Sequence, residues 1–99
     1  MNKENFGIYI RGLREQAQLP LRKLAASLDI DQSTLSKIER GERQFTSDMI
    51  SKLADTLSLD YKNLKIRFLA DRLSNDLINE DFALEALKET EKLLKTQKK

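Results

Sequence analysis

Five polar side chains share one helical face in the middle of this chain: Gln32, Ser33, Ser36, Lys37 and Arg40. Their spacing of i, i+1, i+4, i+5 and i+8 puts them on a single outward side of an α-helix. A glutamine at the N-terminal end of such a helix can pair with adenine through two hydrogen bonds. A lysine one turn later can reach O6 or N7 of guanine. The two serines are short enough to let the helix sit deep and can bond to bases or phosphates. Leu35 and Ile38 occupy the opposite side, with Ile30 in the turn before, so the same helix can pack on a core. An ordinary solvated helix has this composition too, and on the helix alone that reading wins, because most small helical proteins have such faces.

Other chemistry is excluded by what is missing. There is no cysteine and no histidine, so disulfides, thiolate or imidazole metal sites, and Ser-His-Asp or Cys-His arrangements cannot be built. Ser33 and Ser36 beside Lys37 resemble a Ser-Lys nucleophile, but 99 residues leave no room for a catalytic domain around them. Asp29 and Asp31 fit turn and cap positions better than an acid pair. The N-terminus, MNKENFGIYIRG, has no long apolar run, so neither a signal peptide nor a membrane span is expected. The expectation is a single compact cytoplasmic unit that binds rather than catalyses, with no cofactor, metal or membrane partner.

Net charge is +2 and does not by itself point to nucleic acid. Lys37, Arg40 and Arg43 stand against Glu39 and Glu42, with Arg22 and Lys23 nearby, while residues 66–99 carry seven bases and seven acids. By charge alone this is an ordinary mixed surface.

The elements that must position these groups are all helical. Glycine occurs only at 7, 12 and 41 and proline only at 20, and no segment alternates apolar and polar residues between hairpin turns. Helix starts repeat one device, an apolar residue before the cap that packs on another five positions later. Leu19/Leu24, Ile30/Leu35, Phe45/Ile50 and Leu59/Leu64 bracket Pro20, Asp31, Thr46 and Asp60 in this way. Helices are therefore predicted over about 3–17, 20–28, 32–40 and 47–57, and from 61 onward. Phe6, Ile10, Leu13 and Ala17 form one core stripe. Leu24, Ala25 and Leu28 form a second, and Ile50, Leu53, Ala54 and Leu57 a third.

Residues 6–64 resemble the XRE (Cro/cI-like) helix-turn-helix family. The likeness is carried by LREQ at 13–16, KLAASLDIDQSTLSKIERG at 23–41 and ISKLADTLSLD at 50–60. It implies a five-helix, lambda-repressor-like DNA-binding domain at 1–65, with the helix over 32–40 in the major groove. Gln32, Ser33, Lys37 and Ser36 become the expected base contacts. Arg22, Lys23, Thr34, Arg40, Arg43 and Gln44 become the expected phosphate contacts. The resemblance also implies a buried structural ion pair between Arg14 and Glu39. The chain departs from the family pattern in three places. Pro20-Leu21 replaces Ser/Thr-Gln at the start of the second helix, removing a backbone contact that Arg22 or Lys23 would have to supply. Asp29 and Ser58 replace turn glycines.

Beyond Leu64 the resemblance thins. Ile66, Leu69, Leu73 and Leu77 form one apolar stripe, with Phe68 beside it. Asn79 is expected to cap a last helix carrying Phe82, Ala83, Ala86, Leu87, Thr90 and Leu94. Residues 66–99 thus read as a helical extension or hairpin for dimerisation, through Ile66, Leu69, Leu73, Leu77, Phe82, Leu87 and Leu94. The expected protein is a homodimeric repressor or autoregulator of bacterial or phage origin, nucleoid-associated, on a palindromic double-stranded DNA operator. Two contexts are implied by the resemblance: a restriction-modification controller, ahead because such members of the family are of similar size, and a phage-type or antitoxin-type autoregulator. The competing class is an antitoxin-like module whose C-terminal helices hold a partner protein.

Overall fold

The structure, a computed structural model, describes residues 5–97. Among the described residues there are six helices and no strand: α1 (Phe6–Gln16), α2 (Leu21–Ser27), α3 (Gln32–Glu39), α4 (Met49–Leu57), α5 (Tyr61–Leu77) and α6 (Ala83–Gln97). The predicted start of the first helix at Lys3 lies outside the described residues.

Three helices start as local chemistry dictates. The side chains of Asn5, Asp31 and Asp60 accept from the backbone N–H of Ile8, Thr34 and Asn63 at 2.9, 2.7 and 2.9 Å, satisfying orphan donors of α1, α3 and α5. Two expected starts are corrected. Residue 48, not Thr46, flanks α4, and Asp48 makes no side-chain cap there. Asn79 does not cap the last helix, because the chain turns until Phe82 at φ 65° and only then enters α6. Ala17 is likewise exposed rather than part of the core stripe, since α1 stops at Gln16 and the chain turns away.

Four helix ends close through one hydrogen-bond pattern. Leu19, Ile30, Glu42 and Leu59 donate back to the carbonyls of Arg14, Ala25, Lys37 and Ala54 at 3.1, 3.1, 2.9 and 2.8 Å. In each case the preceding residue is left-handed: Gln18 at φ 56°, Asp29 at 59°, Gly41 at 83° and Ser58 at 56°. This is the glycine-type termination, met by glycine once and by polar side chains three times. Ser58→Gly is expected to stabilise the chain by about 0.5–1 kcal/mol, because the left-handed penalty removed exceeds the added backbone entropy. A higher urea midpoint with an unchanged slope would be the signature; a lower midpoint would refute it.

The apolar faces of α1–α4 converge on one core with Leu64 and Phe68 of α5. Ile10, Leu24, Leu35, Ile50 and Leu53 are fully enclosed, each worth roughly 1.5–3 kcal/mol relative to exposure. Phe6 sits at its centre edge-on to Phe45 at 5.7 Å and to Phe68 at 5.4 Å, joining α1 to the loop after α3 and to α5. Arg67 stacks on Tyr9 at 3.8 Å, a second tie between α5 and α1. Helix α5 therefore runs unbroken past residue 65, and buried Phe68 belongs to the same core as α1–α4. Helix α6 contributes no buried residue.

Candidate nucleic-acid interface

Helix α3 is held by its buried face and by one ion pair. Leu35 and Ile38 are enclosed, and Glu39 is the one buried charged residue among those described. Arg14 approaches Glu39 in a fork, Nε to Oε2 at 2.8 Å and Nη2 to Oε1 at 3.0 Å. Its remaining terminal nitrogen, Nη1, donates to the Leu19 carbonyl at 2.9 Å. The side chains are 12% and 4% exposed, so both charges lie largely out of water. The hydrogen bond to Glu39 outweighs desolvation and raises the Arg14 pKa above its usual value. The pair clamps the end of α3 to α1 and to the turn before α2.

The first turn of α3 is held by Asp31. Its carboxylate accepts from the Thr34 N–H and from the Ser33 hydroxyl, the latter at 3.1 Å. Hydrogen bonds from Thr34 and then Ser33 keep its pKa below the ordinary Asp value. A folded pKa below the unfolded one means the cap contributes above the ordinary Asp range and fades as pH falls through the folded value. Below about pH 4, protection of the Thr34 amide relative to its intrinsic exchange rate is expected to fall before global unfolding; protection lost only with global unfolding would refute this.

The clamped helix turns Gln32, Ser33 and Lys37 to solvent. Gln32 and Lys37 make no side-chain hydrogen bond, whereas Ser33 is engaged by the Asp31 cap. Ser36 and Thr34 are half-buried rather than at the centre of the outward face. Ser36 accepts from Arg40 at 2.5 Å, and Arg40 also forks onto Glu42 at 2.8 Å. That hydrogen bond lowers the Glu42 pKa, which keeps both groups charged. Glu42 therefore offsets part of the charge that Arg40 would present to another anion.

Arg22 and Lys23 are exposed on the first turn of α2, and Arg43 and Gln44 on the loop after α3. Sequence reasoning missed the neighbours of that loop. Asn5, Arg72 and Asn75 line the same open cavity as Arg43 and Gln44, about 240 Å³ between the start of α1, the loop and α5. Asn5 was legible as the polar residue before the apolar FGIYI run, but no local signal places Arg72 beside residue 43. Among the described residues, no cluster of acids could hold a metal ion, and no helix is long and apolar enough to cross a membrane.

Two short helices meeting through a left-handed turn, with the second clamped and facing outward, define a helix-turn-helix protein. The matching family profile is described as helix-turn-helix and covers residues 10–64, more than half of the chain. The chain belongs to this XRE-type helix-turn-helix family. It is similar to an uncharacterized HTH-type transcriptional regulator of Mycobacterium tuberculosis (strain CDC 1551 / Oshkosh). That match is 34% identical over 61 residues, 62% of this chain and 44% of the relative. It is also similar to the HTH-type transcriptional repressor RghR of Bacillus subtilis (strain 168). Here identity is 36% over 62 residues, 62% of this chain and 46% of the relative. The chain covers less than half the length of each of these relatives. No solved structure matches it.

Proposed function

We propose that the protein is a transcriptional repressor that binds a palindromic double-stranded DNA operator as a homodimer, with α3 in the major groove. The observation that carries this reading is the pair Gln32 and Lys37, exposed and unbonded on a helix whose other side is fully packed. An α-helix with its side chains is about 10–12 Å across, which fits a major groove about 12 Å wide. Gln32 and Lys37 read bases, with Ser33 and Ser36 beside them. Arg22, Lys23, Thr34, Arg40, Arg43 and Gln44 contact phosphates, and Arg14–Glu39 sets the angle of the helix without touching DNA. The repressor named among the relatives supports repression over activation.

Residues 66–99 are the dimerisation segment, rooted in the DNA-binding unit by Phe68. Two such units related by a two-fold axis read half-sites one helical turn apart, about 34 Å, or a multiple of it. Restriction-modification control is the genetic context we infer. An adjacent methyltransferase or nuclease gene supports it, and an adjacent toxin gene or phage cassette refutes it.

Selection of bound duplexes from a random pool tests the reading. Gln32→Ala and Lys37→Ala are each expected to cost about 1–3 kcal/mol on the preferred site and to relax preference at one position. Arg43→Ala is expected to weaken all sequences alike and to make the salt slope shallower by about one. Unchanged base preference in the first two variants would sink the assignment. The exposed apolar segment favours one second reading, a protein-interaction module. Failure to bind any duplex at low salt would select it.

A further inference from the structure

Nine of the eleven large apolar side chains exposed among the described residues lie between Ile66 and Leu94. A patch of that kind on a water-soluble domain marks an interface. The end of α5 and the start of α6 enclose an open groove of about 340 Å³, lined by Leu73, Leu77, Ile78, Ala83, Leu84 and Leu87. Leu84 is 73% exposed within it. Farther along α6, Leu93 and Leu94 are each 51% exposed. A 15-residue helix that buries nothing is marginal in water and needs a surface to pack on.

Charge indicates what that surface meets. Residues 76–85, between the end of α5 and the start of α6, carry four acids and no base, with Glu80 on the groove wall. Residues 86–99 carry five bases and two acids. The acidic groove and the basic, leucine-bearing end of α6 are complementary in both charge and hydrophobicity. They cannot meet within one chain while α6 stays helical. Leu94 stands seven residues past Leu87, about 10 Å farther along the same rigid axis.

We propose that this groove receives the Leu93–Leu94 end of α6 from a second copy of the chain, and that the exchange is reciprocal. The two copies of α6 then run antiparallel across the two-fold axis, each basic end lying in the other's acidic groove. A two-fold interface requires such self-complementarity, with each patch meeting its counterpart on the other copy. Parallel alignment would instead place acid on acid and base on base. The proposal rests on the homodimer reading and adds the partner surface and its polarity.

The chain has no cysteine, so cross-linking can be directed cleanly. Full-length Leu84→Cys and Leu94→Cys chains are mixed in a glutathione redox buffer, and the joined peptides are identified by mass spectrometry. The expected dominant product joins residue 84 of one chain to residue 94 of the other. By sedimentation, Leu94→Asp is expected to weaken the dimer by about a hundredfold or more. Glu80→Lys with Glu85→Lys, or Lys92→Glu with Lys95→Glu, should each weaken it, and all four together should restore it. All these positions are exposed, and circular dichroism verifies that the variants fold. Dimers joined 84–84 and 94–94, or dimers indifferent to every change in this segment, overturn this inference and leave the homodimer standing. A wild-type chain that stays monomeric at all concentrations overturns both.

Discussion

Glu39→Gln is expected to destabilise the DNA-free chain by about 3–5 kcal/mol, a large share of the roughly 5–15 kcal/mol that holds a domain of this size together. The substitution keeps the shape of the side chain and removes its charge. Arg14 remains, 12% exposed, with its fork facing a neutral amide. The loss is the desolvation cost of an unmatched guanidinium rather than the strength of one contact. The accompanying expectation sharpens this. Arg14→Met together with Glu39→Leu should recover much of the loss, because neither charge then has to leave water. Recovery is incomplete, since the Leu19 carbonyl loses its donor as well. Urea unfolding of the three proteins decides the matter. A Glu39→Gln midpoint equal to the parent's would mean that the pair is effectively solvated, in the range of about 0–1 kcal/mol. The same variant should bind DNA less well, because the pair holds the end of α3 to α1.

Gly7→Ala is expected to destabilise the chain by about 3 kcal/mol. A Cβ built at residue 7 lies 2.1 Å from the carbonyl oxygen of Ile38 and 3.1 Å from its carbon. Both atoms are backbone, so no side-chain rotation relieves the overlap, and α1 or α3 must move. Alanine gains only about 1 kcal/mol over glycine in helix propensity, so the clash wins. Gly12, in the same helix, gives the opposite sign: nothing lies within 4 Å of its would-be Cβ. Gly12→Ala is expected to stabilise by about 0.5–1 kcal/mol. Denaturant curves for the two variants, measured against the parent, check both. Equal effects at 7 and 12 would show that α1 and α3 do not approach so closely. Because Ile38 belongs to α3, the Gly7 variant also tests whether α1 packing governs the presentation of Gln32 and Lys37.

These two glycines mark the limit of sequence reading. Nothing local distinguishes Gly7 from Gly12, because the atom that makes Gly7 necessary belongs to a residue 31 positions away. The cap at Asp31 and the turn at Asp29 were readable, since both depend on neighbours within a few residues. The start of α4 was misread for a related reason. Thr46 has good cap chemistry, but residues 46–48 turn first, with Met49 and Ile50 donating to the Thr46 and Ser47 carbonyls at 3.0 and 3.3 Å, and Asp48 flanks the helix. Asn79 failed likewise, because Phe82 turns left-handed and delays α6.

Composition and periodicity alone determined the all-helical class, the core stripes and the two-sided character of residues 32–40, because each rests on helical repeat and cap chemistry within a few turns. Tertiary structure decided that Glu39 is buried in a fork with Arg14, that Arg40 is held by Ser36 and Glu42, and that Phe68 belongs to the core. It also decided that α6 leaves its leucines in water. Burial, pairing and exposure depend on which distant elements come together, and hydrophobic spacing marks a face without specifying what covers it.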